Sequence, residues 1–84
     1  MEQRDYRALI GDLLADSPIT SAKVIGDVRE LLSVGEYGLA FNTLCSWIYE
    51  DALPIDESFH GRLGEIADEM DSTGLVERLK ELVD

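Results

Sequence analysis

At 84 residues the chain has room for one domain, residues 1–84, and one modest core, because a chain this short buries only about 60% of its unfolded surface. That size argues against a deep substrate cleft. Its 45% apolar content and freedom from low-complexity tracts indicate a folded globule, and 18 acidic residues against 7 basic ones give a net charge of -11, which repels nucleic-acid phosphates and anionic membranes.

Tyr6, Leu9, Ile10, Leu13 and Leu14 recur at helical spacing and predict a first helix with these five on its core stripe, ending near Asp16-Ser17-Pro18. Thr20 then caps a second helix, with Ile19 and Val24 in the spacing of a hydrophobic staple. Val24, Val28, Leu31 and Leu32 continue the stripe. Gly35 stands where a left-handed residue would close this helix, and a new apolar period begins almost at once, so a tight antiparallel αα-hairpin is expected. Its second arm runs from Tyr37 to Tyr49 and places Tyr37, Ala40, Phe41, Leu44 and Ile48 on one face, with Ala40 small enough for close helix approach.

Asp51-Ala52-Leu53-Pro54-Ile55 breaks the third helix, since proline disfavours helical backbone at the residue before it. Asp56 caps a fourth helix and Glu57 sits favourably in its first turn. Phe59, Leu63, Ile66, Ala67 and Met70 form the buried side. Asp71-Ser72-Thr73-Gly74 interrupts it, and a short last helix presents Leu75, Val76, Leu79, Leu82 and Val83. No segment alternates with period 2 between hairpin turns. The fold expected is all-α, a compact bundle of about five short helices around the central hairpin.

No stretch approaches the roughly 20 apolar residues of a membrane span, and Met1-Glu2-Gln3-Arg4-Asp5 is no basic-then-apolar leader, so a cytoplasmic location is expected. Cys45 is the single cysteine and His60 the single histidine. They fall on different helices with no neighbouring oriented base, and the thiol reads as a small packing group rather than a nucleophile. Asp51 to Asp56 lacks the oxygen spacing of a calcium loop. Asp71-Ser72 resembles the attachment site of acyl carrier proteins, but too little chain follows it. Neither an enzyme, a metal nor a cofactor is expected.

On the third helix Leu39, Asn42, Ser46, Tyr49 and Glu50 point away from the core stripe, with Trp47 at one edge. Leu39, Trp47 and Tyr49 are candidate anchors of a protein interface, and Asn42 shares their face. Glu50, Asp51, Asp56 and Glu57 bracket the following loop, while Glu65, Asp68 and Glu69 lie on the outward side of the fourth helix. Aromatics beside acids suit docking onto a basic protein. Two simpler readings stand beside this one: Leu39 and Tyr49 pack at the bundle's edge, and the acids form a solvated face that serves solubility.

Gly35-Glu36-Tyr37-Gly38-Leu39-Ala40 has the Gly-x-Tyr-x-x-Ala spacing of a tetratricopeptide hairpin, but one hairpin makes no repeat array. Together with Leu44-Cys45, Ile48-Tyr49-Glu50, the Pro54-Ile55 break and Ile66-Ala67-x-x-Met70, this run resembles the immunity proteins of the Maf-type polymorphic toxin systems, the MafI family. The resemblance covers Val28 to about Met70. It implies a small cytoplasmic helical domain, an antitoxin that binds and neutralises a cognate bacterial toxin domain, often a nuclease. It supplies no catalytic residues. Phe41-Asn42-Thr43 departs from the more charged stretch expected there, which leaves the toxin's identity open. The alternative function is a small acidic adaptor or regulatory interaction domain.

Overall fold

The computed structural model describes residues 5–84, so the N-terminal reading at residues 1–4 lies outside the described residues. The chain forms α1 (Tyr6–Asp16), α2 (Ala22–Ser33), α3 (Tyr37–Glu50), α4 (Glu57–Ala67) and α5 (Thr73–Arg78), the last running into a 3-10 turn at Leu79–Leu82. This is the all-α bundle that the apolar periods predict, and no described helix is long and apolar enough to cross a membrane.

The longest helix, α3, is the centre of the bundle. Ala40, Phe41, Leu44, Cys45 and Ile48 are all fully buried, and α3 packs against α2, α1, α5 and the 3-10 turn. Ile10, Val28, Leu63 and Leu79 close the core from the surrounding elements. A branched aliphatic or phenyl side chain taken wholly out of water contributes about 1.5–3 kcal/mol. These residues therefore hold the arrangement more strongly than any surface contact does. Among the described residues no buried side-chain nitrogen or oxygen lacks a hydrogen-bond partner.

Three helix ends share one closure. After α2, Gly35 at φ +80° donates its N–H to the Leu32 carbonyl and Glu36 donates to Leu31. After α3, Ala52 at φ +49° donates to Tyr49 and Leu53 donates to Ile48. After α4, Asp71 at φ +57° donates to Asp68 and Ser72 donates to Ala67. Each pair is a Schellman motif, which needs a left-handed residue to satisfy the helix's last carbonyls. Only the first of the three uses the residue best suited to that conformation.

Three expectations are corrected. The cap of α2 is Ser21, whose Oγ accepts from the Val24 N–H, and not Thr20. Leu9 is 38% exposed rather than a stripe member, because Ile10, Leu13 and Leu14 set a core direction that leaves Leu9 beyond its edge. The last helix is only partly α-helical, and after the 3-10 turn the backbone extends and pairs with Ile55.

Candidate protein-binding surface

Two side chains on α3 are large, apolar and in water. Leu39 is 53% exposed and Tyr49 38%, about 15 Å apart along the helix axis at 1.5 Å per residue. Asn42 lies exposed between them and accepts a hydrogen bond from the Ser46 hydroxyl at 3.4 Å. Trp47 is half-buried and packs against the core cluster, at the edge of the stripe where its spacing puts it.

Leu39 does not stand alone. It faces Leu31 and Val34 across the hairpin, and with Thr43, Asp27 and Glu30 these residues line an open groove of about 420 Å³. Val34 is the most exposed of the large apolar residues, at 66%. The groove exists because the Schellman turn at Gly35 brings the end of α2 directly beside the start of α3. Val34 lies outside the apolar stripe of Val24, Val28, Leu31 and Leu32 that the sequence spacing predicts. A wheel shows it, since at 100° per residue it falls roughly 120° from the centre of α2's buried stripe of Val24, Val28 and Leu32.

The acids expected at the site fall into separate neighbourhoods. Glu50 and Asp51 are exposed at the end of α3. Asp56 has a structural role as well, its Oδ1 accepting from the Phe59 N–H at 2.7 Å to cap α4. Glu57 borders a shallow depression with His60, Gly61, Lys80 and Val83. On the far side of α4, Glu65 lines a narrow groove against Leu9, Asp12 and Leu13 of α1, and Glu69 accepts from the Tyr6 hydroxyl at 2.9 Å. Asp68 is exposed. The structure thus joins Leu39 to the acids of α2, Asp27 and Glu30, and sets Glu65 and Glu69 beside α1.

Nucleophilic chemistry has little support here. Cys45 is fully buried, and burial pushes its thiol up to about 12, so at neutral pH it is the unreactive protonated form. His60 points its Nε2 at the Val76 carbonyl at 2.8 Å. A carbonyl only accepts, so Nε2 carries the proton. Among the described residues no group of His, Cys, Asp or Glu side chains is arranged to hold a metal ion. Comparison with protein-family models, with curated proteins and with solved structures finds no match for this chain.

Proposed function

We propose that the chain is an immunity protein: it binds a basic bacterial toxin domain, of which nucleases are the class best matched to its charge, and neutralises it stoichiometrically without catalysis. The observation that carries this reading is the exposed apolar pair Val34 and Leu39, gathered with Leu31 at the α2–α3 hairpin, on a molecule of net charge -11. Large apolar groups left in water together favour a protein partner. The surrounding acids favour a basic one, because opposite charge speeds encounter and like charge rejects other surfaces. The toxin part of the reading rests on the resemblance of Gly35–Ala40 and the segments after it to Maf-type immunity proteins.

The mechanism is occupancy. Acids steer the toxin in, the exposed apolar side chains are desolvated in the contact, and the toxin stays silent while the complex lasts. The surface with which a nuclease holds phosphates is basic, and an acidic protein docked there or nearby either covers the active site or holds the toxin in an inactive state. Co-expression with the C-terminal domain of the protein encoded immediately upstream tests the reading. Restored growth with a complex that co-purifies supports it. Persistent growth arrest beside abundant, folded chain overturns it.

A further inference from the structure

Resting on that reading, we infer that the groove between the end of α2 and the start of α3 is the anchoring site, and that it takes one aliphatic side chain of the partner flanked by lysine or arginine. Its apolar lining is Leu31 and Val34 from the end of α2 and Leu39 from α3. Two of these are more than half exposed, at 66% and 53%, and neither is needed for the core. Asp27 and Glu30 line it too, on the α2 side beside Leu31 and Val34. At about 420 Å³ the space is ample for a branched aliphatic side chain.

Charge selects the occupant. The hairpin from Ala22 to Glu50 carries Asp27, Glu30, Glu36 and Glu50 against Lys23 and Arg29, so a segment whose own flanks are basic is favoured. A second copy of this chain would bring two acidic rims, and two net charges of -11, into one contact. Lys23 does bond Asp27 at 3.0 Å, but with side chains 83% and 50% exposed such a pair is worth little and exchanges readily for a partner's cation. Arg7 is already engaged, its Nε donating to the Leu32 carbonyl at 3.2 Å.

The apolar side chains and the acids make separable contributions. Burying the aliphatic side chain contributes mainly to residence time, and the acids contribute mainly to association rate. An acidic surface without the apolar side chains would bind any cationic peptide alike. This groove discriminates by the presence of the aliphatic group.

The test is a titration of the full chain, isotope-labelled for NMR, with a short lysine-rich peptide bearing one central leucine, and with the same peptide carrying glutamine there, at physiological salt. The groove predicts that the leucine peptide binds about tenfold more tightly, from burial of one aliphatic side chain. It also predicts that the methyl signals of Val34 and Leu39 move most, and that Leu39→Asn or Val34→Ser abolishes the difference while the spectrum stays folded. Equal binding of the two peptides, or shifts centred on Tyr49 or on α4, would overturn the site. Concentration-dependent shifts of the Val34 and Leu39 methyls without peptide would also overturn it, in favour of self-association. Because no toxin enters this titration, failure here leaves the growth-rescue result standing by itself, and the reverse also holds.

Discussion

Ile55 and Val83 form a parallel bridge: the Ile55 N–H donates to the Leu82 carbonyl at 3.1 Å, and the Asp84 N–H donates to the Ile55 carbonyl at 2.9 Å. The loop between α3 and α4, which carries Asp51 and Asp56, is thereby tied to the segment after the 3-10 turn. Ile55 itself is buried. Ile55→Ala is expected to cost about 2–5 kcal/mol as a buried aliphatic truncation, and Asp84→Pro about 1 kcal/mol through its lost N–H. Urea unfolding measures both, and hydrogen exchange at the Ile55 amide reports the bridge directly.

The helix-α2 cap separates two adjacent hydroxyls. Ser21→Ala is expected to lower stability by about 1 kcal/mol, since its Oγ accepts from the Val24 N–H. Thr20→Ala, on an exposed residue just outside the helix, should change stability by less than about 0.5 kcal/mol. Equal losses at the two positions would show that the cap is not Ser21.

Left-handed closures predict opposite signs at Gly35 and Ala52. A Cβ added at Gly35 meets nothing within 4 Å, so Gly35→Ala pays only for its φ of +80° and should destabilise by about 1 kcal/mol. Ala52→Gly relieves the same strain at φ +49° and should stabilise by a few tenths to about 1 kcal/mol. Thermal unfolding of the two variants, run side by side, checks the signs.

Cys45 makes stability fall in alkali. Burial raises its thiol from 9.0 to about 12, so the folded state holds a proton that the unfolded state releases. The associated stability is fully present below pH 9 and is lost progressively as pH rises towards 12, with a slope of up to about 1.4 kcal/mol per pH unit. Cys45→Ala should flatten that slope relative to the parent in urea titrations across this window, although the cavity it leaves lowers stability at every pH. Alkylation of Cys45 by iodoacetamide at neutral pH should require unfolding.

Two leucines on α3 separate folding from binding. Leu44 is fully buried and Leu39 half exposed. Leu44→Ala is expected to cost about 2–5 kcal/mol of stability, and Leu39→Ala less than about 0.5 kcal/mol while accelerating dissociation of the complex. Charge reversal at Asp27 and Glu30 should instead slow association and reduce its salt dependence. Stopped-flow association and surface-binding dissociation rates distinguish these effects.

The core was legible wherever burial obeys a single helical stripe. Phe41, Leu44, Ile48, Leu63 and Val76 lie inside as their spacing requires, and the left-handed Gly35 was readable from its place between two apolar periods. Leu9 misled because a stripe's edge residue is decided by which neighbours arrive, and α4 leaves that edge open. Ala52 gives no signal of its left-handed backbone, since alanine does not favour it, whereas Asp71 is of a type enriched there and stands in the break that the sequence shows after α4. The Ile55–Val83 bridge pairs the α3–α4 loop with the segment after the 3-10 turn, a contact that no local period encodes. At the candidate surface, exposure of Leu39 and Tyr49 followed from the wheel. The groove did not, because it belongs to two helices at once and depends on how the turn at Gly35 sets them side by side.

The most direct test of the central claim is a titration of the upstream-encoded toxin domain's activity with increasing amounts of this chain. Stoichiometric neutralisation predicts a linear fall to complete inhibition at one equivalent, with Leu39→Ala giving a shallower curve at the same folded concentration. Activity that is unchanged at excess chain, or abolished far below one equivalent, would contradict the account.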